Sequence, residues 1–151
     1  MIDLTDLGYD LTEQTGWLKF EAMLLGPGLF ERLPFTNAEF TPADASMVRM
    51  WRKVLSLALF DILRGPNSTS VDPNEIANRK VAYKDTVHWL MKTKPTEDYE
   101  LDKKNADNAL TDFEQVCMLA DLDKNMVKGV FARMLKERAK IFGSIEPQRT
   151  T

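Results

Sequence analysis

The stretch Thr111–Leu135, TDFEQVCMLADLDKNMVKGVFARML, admits few folds. Thr111 with Glu114 three residues on is a capping-box signature, in which each end of the pair satisfies a backbone amide that a helix start leaves open. Phe113, Val116, Cys117 and Ala120 then recur at helical spacing and share one face. Asp121-Leu122-Asp123 turns the chain, and Asp123 is placed to cap a second helix. In that helix Val127, Val130, Phe131, Met134 and Leu135 lie on one side, and the pattern runs on to Phe142 before Gly143. The expectation is a short helix, a tight turn and a longer helix.

Two helices that cross steeply need a small residue where their backbones approach and an apolar plug in the turn. Cys117 is the small residue, Leu122 the plug, and Val127 and Val130 the inward anchors of the second helix. The departure from a helix-turn-helix is Asp121, which stands where such turns usually hold glycine; aspartate tolerates left-handed backbone better than most residues, at some cost. On this reading the second helix presents Lys124, Asn125, Lys128, Gly129, Ala132 and Arg133 outward. Asparagine can read adenine, and arginine or lysine can reach guanine or phosphate. A plain helical hairpin within a bundle has the same pattern.

The rest of the chain reads as helices divided by proline and glycine. Residues 1–11 form an arm, and Thr12 is placed to cap a helix with apolar positions Trp17, Leu18, Phe20, Met23, Leu24 and Leu25. Gly26-Pro27-Gly28 ends it. Leu29–Pro34 is one helical turn and Phe35–Phe40 a loop. Thr41 as cap with Pro42 at the first helical position opens a helix of about 22 residues that stops at Gly65-Pro66. Its expected inward stripe is Met47, Met50, Trp51, Val54, Leu55, Ala58, Leu59 and Ile62, widened by Leu57 and Phe60, which makes it the central helix. Asp72-Pro73-Asn74-Glu75 repeats the start signal for a helix to about Met91, with Ile76, Val81, Tyr83, Val87, Leu90 and Met91 inward or at its edge. Lys94–Ala109 is a charged spacer, Asp102–Leu110 has the makings of a helical turn, and residues 144–151 read as a tail. The fold class expected is all-α: one compact domain over residues 1–143, a bundle of about five helices ending in a helix-turn-helix-like pair at 111–142.

Charge is uneven along the chain. Residues 1–46 carry eight acids against Lys19 and Arg32, a net of −6, while residues 124–140 carry six cations against Glu137, a net of +5. The formal charge of the whole chain is −3, which argues against a general affinity for nucleic acid and confines any such affinity to the basic end. No apolar run approaches the roughly 20 residues a bilayer span requires, so no membrane partner is expected. The acidic start MIDLTDLGYD lacks the basic and apolar regions of a secretory signal. With one cysteine, Cys117, no internal disulfide can form, and a reducing cytoplasm is the expected setting.

Catalytic and metal signatures are missing from the sequence. One histidine, His88, and one cysteine cannot build a zinc site with the usual spacings. Asp121-x-Asp123-x-Asn125 begins like a calcium loop but has Met126 in place of the required glycine and Ala132 in place of the bidentate acid. There is no phosphate loop and no nucleophile elbow. Neither an enzyme nor a cofactor is expected.

Several of these residues also carry a likeness. Val54-Leu55-Ser56-Leu57-Ala58-Leu59-Phe60-Asp61, Thr86-Val87-His88-Trp89-Leu90, Phe113-Glu114-Gln115-Val116-Cys117, Leu122-Asp123 and Val127-Lys128 follow one another in the chain. That series resembles small, uncharacterised bacterial and prophage proteins of helix-turn-helix type, over roughly residues 50–135. The chain departs from their pattern at Thr86 (alanine there), Asp121 (glycine) and Lys128 (arginine), and in a longer charged spacer before Phe113. The resemblance implies the helical fold and a phage context, with the cytoplasm of a host cell as the place of action.

Two functions are therefore expected from different classes. One is binding of double-stranded DNA through Lys124, Asn125, Lys128, Gly129 and Arg133, as a regulator or packaging factor. The other is a structural or protein-interaction role, as a virion or connector-like component or an inhibitor of a host factor. In that role the acidic N-terminal part faces a host or phage protein partner, and an oligomer is compatible with it.

Overall fold

The computed structural model describes residues 8–36, 39–66, 71–92 and 111–143. Within them are five α-helices and a short 3-10 turn: α1 Gln14–Leu25, the turn Phe30–Arg32, α2 Pro42–Arg64, α3 Pro73–Met91, α4 Asp112–Leu119 and α5 Lys124–Phe142. The fold is all-α, as the sequence implies. The spacer 94–109, the turn at 102–110 and the tail 144–151 lie outside the described residues, as do residues 1–7 of the arm.

Local chemistry accounts for most helix ends. The Thr41 hydroxyl accepts from the Asp44 amide and Pro42 supplies a preset first turn. The Asp72 carboxylate accepts from the Asn74 amide, and the Asp123 carboxylate from the Asn125 amide. At Thr111 and Glu114 both halves of the capping box are formed. Helix α1 differs from expectation. Its cap position is Glu13, with no side-chain cap bond, while Thr12 turns back to the Asp10 carboxylate. Asp10 also explains Gly16, because a Cβ there would collide with the Asp10 carbonyl.

The core is one cluster. Trp17, Phe20 and Leu24 come from α1, Leu29 and Phe30 from the 3-10 segment, Leu55, Leu59, Ile62 and Leu63 from α2, Phe113 and Cys117 from α4, and Val127, Phe131 and Met134 from α5. Phe131 stacks on Phe30 at 6.1 Å and meets the Phe113 edge at 6.5 Å; Trp89 reaches Phe113 at 5.2 Å. Helix α2 touches every other helix and is the central element. Helix α3 contributes no fully buried residue and lies at the periphery, with Val81 and Met91 exposed and Ile76, Tyr83, Val87 and Leu90 partly buried.

The inward face of α2 is the expected one only in part. Leu55, Ala58, Leu59 and Ile62 are buried as expected, but Met47, Met50, Val54 and Leu57 are exposed, and Ala45, Val48, Arg52, Ser56 and Leu63 complete the buried face. The polar members of that face terminate other segments. Ser56 Oγ accepts from the Leu29 and Phe30 amides at 3.1 and 3.2 Å and donates to Glu31. Lys53, at the edge of this face, donates to the Leu25 and Gly26 carbonyls, closing the end of α1. Arg52 is fully buried and bonded to the backbone on two sides. Buried backbone groups left without partners cost about 1–3 kcal/mol each, which favours turning inward the face that carries Arg52 and Ser56.

Candidate nucleic-acid interface

The α4–turn–α5 unit has the local geometry its sequence implies. Phe113, Val116, Cys117 and Ala120 are buried, as are Val127, Val130, Phe131 and Met134. The turn closes with the Leu122 amide on the Cys117 carbonyl at 3.0 Å and the Asp121 amide on the Met118 carbonyl at 3.1 Å. Asp121 takes φ +58, the left-handed conformation that glycine would adopt without strain. Its carboxylate accepts from the Thr36 amide at 2.6 Å and from the Thr36 hydroxyl. Leu122 is partly buried against the core, in keeping with its role as plug.

Of the expected reading residues, Asn125, Lys128, Gly129 and Arg133 are exposed, and Ala132 and Lys136 are exposed beside them. At 100° per residue these six fall on one side of α5, opposite Val127, Val130 and Met134. Around Gly129 there is nothing within 4 Å of where a Cβ would stand, so the backbone there is open to close approach. Lys128 Nζ lies 5.5 Å from the Phe113 ring centroid. Lys124 is placed differently from the others. It is partly buried, and its ammonium donates to Glu114 at 2.6 Å. That bond raises the Lys124 pKa and, together with the Thr111 amide, holds the Glu114 carboxyl down at about 2.

The basic block of residues 124–140 is therefore partly spent inside the molecule. Arg138 Nε donates to the buried Glu21 carboxylate at 2.9 Å, with Arg64 at 3.9 Å from its other oxygen. Lys140 pairs with Glu137 at 3.1 Å. Two acids of the N-terminal block are engaged in the same way: Glu21 is buried under α5, and Glu31 is partly buried against Ser56 and Lys53. The two opposed charge blocks thus neutralise each other in part where α1 meets α5. Lys128, Arg133 and Lys136 are exposed on the outward α5 face, as is Lys140 beside Glu137.

Nothing in the unit favours covalent chemistry. Cys117 is 1% exposed, and burial pushes its thiol pKa up to about 12, leaving no thiolate at neutral pH. His88 is exposed on α3. Among the described residues no group of three or more histidine, cysteine, aspartate or glutamate side chains is placed to hold a metal ion, and no helix is long and apolar enough to cross a membrane.

Two features escape a reading of the sequence. The first is Arg52, whose position on the Val48–Leu55–Leu59 face is a readable signal only once that face is known to be the buried one. The second is an open groove of about 360 Å³ between α2 and α3, lined by Val54, Leu57, Ala58, Asp61, Asp85, Thr86 and Trp89. It adjoins the exposed stripe Met47, Met50, Val54 and Leu57. Comparison of the chain with protein-family models, with curated proteins and with solved structures finds no match.

Proposed function

We propose that this chain binds double-stranded DNA through the outward face of α5, using α4 and the 120–123 turn as its support. The observation that carries this reading is the single exposed face of Asn125, Lys128, Gly129, Ala132, Arg133 and Lys136 at the N-terminal and central part of α5. It combines an amide able to read adenine, three cations able to meet guanine or phosphate, and a small-residue patch that lets a groove come close. The left-handed Asp121, the small buried Cys117 and the anchors Val127 and Val130 are the features a helix-turn-helix needs. The likeness to prophage proteins of that type supports the helical pair and a phage context.

Titration of labelled duplex DNA at a series of salt concentrations tests the proposal. Wild type should bind with log K falling by about 0.9 for each phosphate contact per decade of salt. The double variant Lys128→Glu/Arg133→Glu should bind more weakly and with a shallower slope. Equal binding by the two proteins, or no binding by wild type at low salt, sinks the idea.

A second reading is favoured by a different observation. Met47, Met50, Val54 and Leu57 form an exposed apolar stripe with the three-four-three spacing that receives an amphipathic helix. In that role the chain is an interaction protein whose partner, a phage or host protein, lays a helix along α2. Light scattering and a pull-down with Met50→Glu/Leu57→Glu as control separate the possibilities: a partner lost in the variant supports this reading, and a self-dimer lost in the variant assigns the stripe to a second copy.

A further inference from the structure

Arg52 lies on α2, away from the outward face of α5, yet it holds the turn that aims α5. Its guanidinium is fully buried. On one side Nε donates to the Ala120 carbonyl at 2.8 Å, and Nη2 reaches the Asp121 carbonyl at 3.4 Å. On the other side it donates to the carbonyls of Leu33 and Pro34. Nη2 stands 3.8 Å from the Asp121 carboxylate. That carboxylate in turn accepts both hydrogen bonds of Thr36. Arg52, Asp121 and Thr36 thus close a ring that ties the 33–36 segment to the turn between α4 and α5. Phe35 completes it, with the Arg52 guanidinium 4.8 Å and the Arg49 guanidinium 5.3 Å from its ring centroid.

The backbone of the short 120–123 turn sets the direction in which the following helix leaves. A planar five-donor cation that reaches carbonyls on both sides adds a directional restraint to the apolar packing of α5, because hydrogen bonds are directional. We propose that the Arg52–Asp121–Thr36 ring is a positioning device for α5: it fixes the angle at which the Asn125–Lys136 face is presented, and it couples that angle to the 33–36 segment. This rests on the reading of that face as the DNA surface, and it deepens that reading by naming what controls it.

Asp121 gives a test in which position and charge predict opposite signs. Asp121→Gly keeps the left-handed backbone without strain but deletes the carboxylate, while Asp121→Asn deletes the charge and keeps an acceptor for Thr36. If Asp121 acted through charge alone, both variants would bind DNA more tightly, since a negative group beside the surface is gone. Positioning predicts that Asp121→Gly binds about tenfold more weakly with an unchanged salt slope, and that Asp121→Asn binds as well as wild type or better. The second readout is independent of DNA. Spin labels on Ser46→Cys in α2 and Lys140→Cys in α5 should give a narrow distance distribution when Asp121 is intact and in the Asp121→Asn variant. The distribution should broaden in Asp121→Gly; native Cys117 is buried and stays unlabelled. An unchanged distribution in Asp121→Gly, or tighter DNA binding by it, overturns the proposal. A broadened distribution in a protein whose wild type binds no DNA upholds the positioning device and removes the DNA reading instead.

Discussion

Arg52 precedes Ala120 by 68 residues, and its Nε donates to the Ala120 carbonyl at 2.8 Å. That bond joins the central helix to the turn on which the candidate interface depends. Replacing Arg52 with methionine keeps much of the volume but leaves the Ala120 carbonyl in the interior without its partner and removes the bonds to the Leu33 and Pro34 carbonyls. The expected loss is about 3–5 kcal/mol in chemical denaturation at neutral pH, the range for removing one member of a buried charged network. Lysine should recover only part of this, because its ammonium cannot span both sides as a planar fork does.

Glu114 makes stability depend on acid. Its folded-state pKa is about 2 against an ordinary 4.5, with the Lys124 hydrogen bond as the largest cause and the Thr111 amide next. A carboxylate with a depressed folded pKa contributes stability that is fully present above the unfolded value and is lost as pH falls through the folded one. Wild type should therefore lose stability between pH 4.5 and about 2 in a manner that Glu114→Gln does not share. Denaturation midpoints for the two proteins should diverge at neutral pH and converge at the acid end.

Cys117 should report opening of the core. With the side chain 1% exposed and the thiol pKa pushed up to about 12, a thiol reagent under mildly alkaline conditions should react with the native protein only through unfolding. In denaturant the same thiol should react at the rate of a free cysteine. Rapid labelling of the native protein would contradict the burial of α4 against α5.

Gly16 should resist enlargement although it lies within a helix, where alanine normally stabilises. A Cβ at this position runs into the Asp10 carbonyl. Gly16→Ala is expected to destabilise by about 1–3 kcal/mol, as overpacking does, and to displace the segment around Asp10. A gain in melting temperature would count against the close approach.

The two faces of α2 should respond differently to mutation. Leu55→Ala removes a fully buried side chain and should cost about 2–5 kcal/mol. Met50→Lys changes a residue that is 52% exposed and should stay within about 0.5 kcal/mol of wild type. Were Met50 the costlier site, the face assignment would be reversed.

That last contrast shows where the sequence is sufficient and where it is not. Helix ends are legible, because the Thr41-Pro42, Asp72-Pro73 and Thr111–Glu114 signals act on amides within one turn. The inward residues of α4 and α5 are legible too, since each of these helices has one apolar face. Helix α2 has two. Periodicity groups Met47, Met50, Val54 and Leu57 with Leu55, Ala58, Leu59 and Ile62, of which only the second four are buried; the backbone groups of residues 24–34 and 120–121 need partners, and the face bearing Arg52, Lys53 and Ser56 supplies them. For the candidate site, the sequence determines which residues stand on the outward side of α5. Tertiary structure decides which charges of the basic block are turned elsewhere: Lys124 is drawn to Glu114 and Arg138 to the buried Glu21, 117 residues away. Local hydrogen bonding determines elements, whereas satisfying buried polar groups depends on partners distant in the chain, and no local pattern records them.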